Sequence, residues 1–337
     1  NIDGILSFGV DPGVVTAAYV AEQMGLSFQC SYESACILQD KSRFRQFLKD
    51  NNFNVPNAKG YSSKEEALAD TAYYNWPVIV KPVDSAGSKG VTRVDELGQL
   101  SSAIDYALSE SHNGHFIIED FLEKEGNSSD CDSFTVDGKL VFCSFNDQHF
   151  DPKAINPYTP AAFSWPSTMP QWAQEELRSE LQRLMTLLNV KTGVYNIETR
   201  LCKNGKPYIM ELAPRGGGNR LSEMMKYISG QDLIDNCVRA AVGDSIDEIH
   251  QPDYDGYWAE IILHSERDGV FQSTEIDKTV EERFLIEKDI WVKAGDKVQG
   301  FTGANTTIGT LVLRFDTNEE MTCCLSNQET WLKIIVL

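Results

Sequence analysis

From Gly193 to Leu212 the chain reads GVYNIETRLCKNGKPYIMEL, two strand-like runs either side of Asn204-Gly205. Asn-Gly is the strongest short-range signal for a two-residue type I′ hairpin turn, because both central residues of that turn need positive φ. A turn fixes register, and register fixes which side chains share a face. Counting outwards from Asn204-Gly205 places Glu198 directly opposite Glu211, and Asn196 opposite Ala213. Facing residues of an antiparallel pair have Cβ atoms about 4.5–5.5 Å apart. Two carboxylates at that spacing repel, so the arrangement calls for a raised pKa or a cation between them, and hard oxygen ligands suit Mg2+. The two-residue alternation puts Asn196 and Arg200 on the same face. Arg200 is placed either to meet a transferred phosphate or substrate, or to balance the two carboxylates.

Downstream of Glu211, Ala213-Pro214-Arg215 leads into Gly216-Gly217-Gly218-Asn219-Arg220, a flexible cationic segment whose N–H groups and guanidinium suit an oxyanion or a phosphate. Upstream, a strand from Trp76 ends in Lys81 and meets the loop Asp84-Ser85-Ala86-Gly87-Ser88-Lys89-Gly90, with a second strand at 91–94. Such a Gly/Ser loop offers unobstructed N–H donors as a lid over phosphates. It is not a Walker A loop, since GxxxxGK[ST] is absent and no helix follows. Asp40-Lys41-Ser42 opens an amphipathic helix with Phe44, Phe47 and Leu48 on one side and Asp40 as N-cap. A further strand, His115 to Glu119, runs out into Asp120-Phe121-Leu122-Glu123.

Taken together, IETR, IMELAPRGGG, VIVKPVDSAGSKGV and FIIEDFLE resemble the ATP-grasp superfamily, over nearly the whole chain. Within it they are similar to the carboxylate–amine ligases, among them L-amino acid ligases, phosphoribosylamine–glycine ligase and the core of the carbamoyl phosphate synthase large chain. The resemblance implies an α/β (α+β) ATP-grasp fold. Residues 1–45 would be the remainder of an N-terminal Rossmann-like domain, and 46–119 a small lid subdomain. Residues 120–337 would be the C-terminal domain, with the metal hairpin and, from about 253, a β-rich tail.

The resemblance also implies ATP and Mg2+ and assigns residues to them. Lys41 and Lys81 would reach the phosphates, with Ser85, Gly87, Ser88 and Gly90 as the lid. Glu119 and the backbone of Asp120, Phe121 and Leu122 would take adenine and ribose, and Glu198 and Glu211 the metal. Arg215 matches the anion-binding arginine, catalytic together with Lys81. The substrate set is Arg200, Arg215, Gly217, Gly218 and Asn219.

The implied reaction phosphorylates a carboxylate to an acyl phosphate, which an amine attacks to give an amide, ADP and phosphate. The implied partners are small carboxylates and amines, amino acids among them, in a possible homodimer. Two positions depart from the family pattern. Gly126 is followed by Asn127-Ser128-Ser129 where a Glu is usual, with Asp130 as a weak substitute. Ala213 stands where a metal-binding Asn is usual, with Asn196 facing it. Two rivals remain open: an ATP-grasp enzyme using bicarbonate, in carboxylation or carbamoyl phosphate formation, and a nucleotide-binding regulator without turnover.

Composition narrows the partners. A formal charge of −20, from 30 Lys+Arg against 50 Asp+Glu, argues against nucleic acid or an anionic membrane, which need a basic surface. No apolar run approaches the ~18 residues of a membrane-spanning helix. The eight cysteines show neither CxxC nor zinc spacing, which reads as reduced, buried thiols in a cytoplasmic enzyme. The chain enters at Asn1 on a strand-like Ile5–Phe8, as though midway through a βα repeat. Leu177, Leu181, Leu184 and Leu188 predict an amphipathic helix over 171–189. The Pro- and aromatic-rich 150–170 reads as a loop, either connecting or shaping an acceptor pocket. Strands are expected at 257–263, 284–292 and 310–315, with a turn at 295–298.

Overall fold

The computed structural model describes residues 2–85 and 87–337. The chain opens on three helices, α1 (Asp11–Met24), α2 (Tyr32–Gln39) and α3 (Lys41–Asp50). Pro12 sits in the first turn of α1, where its missing N–H costs nothing. Asp40 caps α3, accepting the N–H groups of Ser42 and Arg43, both at 2.9 Å. Residues 5–8, expected as a strand, join no sheet. Phe8 instead lies against Gly216, where any Cβ would collide with its ring, and Gly9 N–H bonds Gly216 O at 3.1 Å. Extended backbone becomes a strand only beside a partner strand, and here the neighbour is a loop.

Next come β1 (Ala58–Tyr61), α4 (Lys64–Ala69), β2 (Val78–Pro82), β3 (Thr92–Val94), α5 (Leu97–Ser109) and β4 (Phe116–Asp120). The strands form an antiparallel sheet in the order β1-β4-β2-β3. Val78, Val80, Phe116 and Ile118 point into one core with Leu100 and Ile104 of α5. Alternation therefore sends Lys81 and Glu119 to the opposite face.

The middle of the chain supplies β5 (Ser129–Val136), β6 (Lys139–Cys143), β7 (Asp147–Phe150), β8 (Pro160–Trp165), α6 (Gln171–Leu187), β9 (Gly193–Leu201), β10 (Pro207–Ala213), α7 (Leu221–Ser229) and α8 (Leu233–Val242). A second antiparallel sheet runs β10-β9-β5-β6. Leu177, Leu181 and Leu184 of α6 pack on one face of it, against Tyr195, Ile197, Leu201, Ile209 and Leu212. Asn196, Glu198 and Arg200 consequently face the other way. The stretch 150–170 is not one loop, because β8 forms inside it. Ala161, Phe163 and Trp165 fill a core on one side of that strand, an alternation its prolines obscure.

The tail adds β11 (Tyr257–Leu263), β12 (Gly269–Ile276), α9 (Lys278–Arg283), β13 (Leu285–Ile290), β14 (Lys297–Val298), β15 (Gly309–Phe315), α10 (Asn318–Ser326), α11 (Gln328–Trp331) and β16 (Leu332–Val336). Its sheets are β13-β15-β11-β8-β7 and β14-β12-β16. Among the described residues no helix is long and apolar enough to cross a membrane.

Candidate active site

β9 and β10 bring Glu198 and Glu211 together as direct partners, though not by the expected turn. The loop has three residues, Lys203-Asn204-Gly205. Cys202 N–H bonds Lys206 O at 3.1 Å, Gly205 N–H bonds Cys202 O at 2.8 Å, and Gly205 at φ 75° takes the left-handed position while Asn204 does not. A type I turn closed by a left-handed glycine holds one residue more than a type I′ turn. Near the turn the partners are therefore Pro207–Leu201, Tyr208–Arg200 and Ile209–Thr199, one off the counted register. A β-bulge at Met210 absorbs the extra residue, and beyond it the counted pairs Glu211–Glu198, Leu212–Ile197 and Ala213–Asn196 return. The two irregularities cancel at the glutamates.

β5 extends the acidic row. Asp130 is the partner of Glu198, and Asp132 the partner of Asn196. Burial, with the charge of Glu198 behind it, pushes Asp130 up to about 7, although Asn196 Nδ2 donates to it at 2.7 Å. Burial raises Glu198 too; Arg200 at 3.7 Å opposes the rise and Glu211 adds to it. The Glu198 and Glu211 side chains keep 33% and 32% of their surface exposed, so their oxygens face a cleft and not the core. Among the described residues no three His, Cys, Asp or Glu side chains converge as a metal cage. Two hard carboxylates without a cage fit Mg2+, which takes one or two carboxylates and completes its shell with phosphates and water.

Cations surround this row. Lys41 Nζ lies 3.9 Å from Glu211 and donates to Ser85 O at 2.9 Å, tying the 84–90 loop to the β9–β10 hairpin. Lys81 donates to Glu119, whose other oxygen accepts Arg45 Nε at 2.8 Å. Burial alone would raise Glu119, but Arg45 and Lys81 hold it down at about 2. Burial lowers Lys81, and Glu119 counters that pull. Glu119 thus engages Lys81 through one oxygen and Arg45 through the other.

At the end of β4, Asp120 N–H bonds Asn57 O at 2.9 Å and Phe121 N–H bonds Pro77 O at 3.1 Å. Arg200 braces the same segment, donating to Leu122 O at 3.3 Å and Ser128 Oγ at 3.1 Å. Arg215 makes a two-pronged pair with Asp11, at 2.9 and 2.8 Å. Gly217 N–H points at the Asp132 carboxylate at 2.9 Å, and a Cβ there would meet the side-chain ends of Leu221, Asn196 and Asp132 at 2.7–2.9 Å and displace them. Gly218 is exposed, while Asn219 and Arg220 are left-handed at φ 49° and 60°. In the 84–90 loop, Gly87, Ser88 and Gly90 all have positive φ, and Ser88 Oγ reaches Tyr158 O at 3.2 Å. Ala86 lies outside the described residues.

Sequence reasoning missed Asp11, Arg45 and Asp132 and undervalued Asp130. For the last two a signal existed, since Asp130-x-Asp132 has the spacing of one strand face. Asp11 and Arg45 look like an ordinary helix start and a surface arginine. The space among Asp11, Gln39, Lys41, Asp84, Ser85 and Glu211 is closed down to about 10 Å3. A cavity of about 1030 Å3 lies elsewhere, between β7, β8 and β11 and the layer of α10 and β16. Lys124, His149, Ser164, His264 and Met321 line it, and none of Lys41, Lys81, Glu119, Glu198, Glu211 or Arg215 does.

Residues 74–223 match the family model of the ATP-grasp domain. This chain carries an ATP-grasp domain. It is 26% identical over 218 residues to the C-terminal section of the carbamoyl phosphate synthase large chain of Aquifex aeolicus (strain VF5), covering 64% of this chain. The match spans 39% of that relative's length. The fold extends over the whole chain. The L-amino acid ligase from Bacillus licheniformis superposes with a TM-score of 0.82 at 19% identity, covering 100% of this chain and 81% of that one. Phosphoribosylglycinamide synthetase from Anaerococcus prevotii superposes with a TM-score of 0.74 at 18% identity, covering 100% and 84%. The matched residues include the 84–90 loop, the 119–123 segment, Glu198 and Glu211.

Proposed function

We propose that this protein is an ATP-dependent carboxylate–amine ligase that forms an amide through an acyl phosphate and releases ADP and phosphate. The observation that carries this reading is the facing pair Glu198 and Glu211, exposed to a cleft with Lys41 at 3.9 Å and Arg215 beyond it, within an ATP-grasp domain. Glu198 and Glu211 would hold Mg2+, which would supply positive charge against the nucleotide phosphates. Lys41 and Lys81 offset the remaining phosphate charge. Glu119 opposes the burial that lowers Lys81 and aims its ammonium, Arg45 holds Glu119 in place, and the loop at 84–90 shuts water out.

The substrate carboxylate attacks the γ-phosphorus as ADP leaves. The amine then attacks the acyl carbon, loses a proton, and phosphate departs. Arg215 stabilises the oxyanion of that second step, held in orientation by Asp11, whose carboxylate now fills the guanidinium's fork. A second reading, with bicarbonate as the carboxylate, is favoured by the likeness to the carbamoyl phosphate synthase section.

Phosphate release from MgATP decides between them, assayed with pooled amino acids and small carboxylic acids in one arm and bicarbonate in another. Release that needs both an acid and an amine supports the ligase. Release with bicarbonate alone supports the second reading, and no release in either arm refutes both.

A further inference from the structure

Arg45 is 3% exposed, the most deeply buried cation near the cleft. From α3 it reaches two other elements. Its Nε donates to Glu119 Oε2 on β4 at 2.8 Å, and its Nη1 donates to the carbonyl of Met210 on β10, also at 2.8 Å. Met210 is the bulged residue, flanked by the Ile209 and Glu211 pairs. A bulge leaves its extra residue out of the ladder, and the partly buried Met210 carbonyl gains from a donor there. Arg45 is that donor.

The bulge also decides where Glu211 points. Continuing the Ile209–Thr199 register without a break would pair Met210 with Glu198 and Glu211 with Ile197. A one-residue slip turns every following side chain over, so Glu211 would enter the core with Ile197 while Leu212 faced the cleft. We propose that Arg45 is a positioning residue that locks this bulge, and through it sets Glu211 against Glu198. It thereby couples the metal pair to the Lys81–Glu119 face of the small sheet. This rests on the reading of Glu198 and Glu211 as the Mg2+ pair.

The test is calorimetric titration with ADP, with excess Mg2+ and with a chelator instead, and its readout is the ratio of the two affinities. Arg45→Met also loosens Lys81, but a loss common to both conditions cancels in the ratio. The expected result is that wild type gains affinity with Mg2+ and Arg45→Met loses about tenfold of that gain, the scale of one charge-assisted hydrogen bond. Arg45→Lys, which can reach Glu119 or Met210 but not both, serves if Arg45→Met does not fold; it also loses most of the gain.

Deleting Met210 gives the decisive background. Glu211 then follows Ile209 directly and still pairs with Glu198 in an unbroken ladder, with no bulge carbonyl left. There, replacing Arg45 leaves the Mg2+ ratio unchanged. An undiminished ratio in Arg45→Met or Arg45→Lys overturns the proposal, as does an equal loss with and without Met210. ADP binding indifferent to Mg2+ in wild type overturns the metal assignment itself.

Discussion

Glu260, on β11, is fully buried, and neither of its carboxylate oxygens has a hydrogen-bond partner. It shares a sheet face with Trp258 and Ile262, and its nearest cation, Arg220, is already held by Glu223, Glu287 and Thr310. Burial pushes its pKa well above the usual carboxylate range, and the pull of Arg220 does not offset it. Two effects follow for Glu260→Leu. Removing an unpartnered buried polar group recovers about 1–3 kcal/mol at any pH. The second effect depends on pH. The unfolded chain ionises this glutamate near pH ~4.3 while the folded protein keeps it protonated, so between the two values the folded state binds more protons. Stability there falls as pH rises, by about 1.4 kcal/mol per pH unit for this group. The leucine variant lacks that loss, so its advantage should grow from about 1–3 kcal/mol near pH 5 by up to about 3 kcal/mol more at pH 7. Glu260→Gln keeps a polar group in place and should show only the pH-dependent part. Thermal melts of the three proteins at pH 5.5, 6.5 and 7.5 read this out, at roughly 1–3 °C per kcal/mol. A leucine variant less stable at every pH, or an advantage flat with pH, would refute the reasoning, because either shows the carboxylate ionised and paired.

Glu211→Gln should lower MgATP turnover by at least the ~10–100-fold typical of groups that merely support a metal ligand, with the melting temperature nearly unchanged; full activity in a phosphate-release assay would sink the metal assignment. Leu184 is fully buried on α6, so Leu184→Ala should cost about 2–5 kcal/mol in urea unfolding. All eight cysteines are free, and Cys323 alone is exposed, whereas burial pushes Cys30, Cys143 and Cys324 each to about 12. A thiol reagent on the native protein should therefore label Cys323 first, Cys36 more slowly and the rest only after unfolding; prompt reaction of all eight would contradict the packing.

Where a pattern is written into one element, the sequence was enough. The leucines of α6 repeat at helical spacing and are buried, and Asp40 caps α3 as its position suggests. Asp137-Gly138 forms the left-handed turn that Asn204-Gly205 does not, at φ 49° and 79°. Even the Glu198–Glu211 pairing survived a wrong turn length, because the buried Ile197, Leu201, Ile209 and Leu212 dictate which face each strand presents. A bulge costs less than burying Glu211 in that core, so the hydrophobic pattern overruled the turn. What the sequence did not contain is which distant group completes each charge. Arg45 meets Glu119 across 74 residues and Met210 across 165, and Arg215 meets Asp11 across 204. Local periodicity reports the face of a helix or strand that turns inward. It carries no record of what arrives from elsewhere to cover that face. An arginine on α3, an aspartate at a helix start and a glutamate in mid-strand thus acquire their roles only when the sheets close around them.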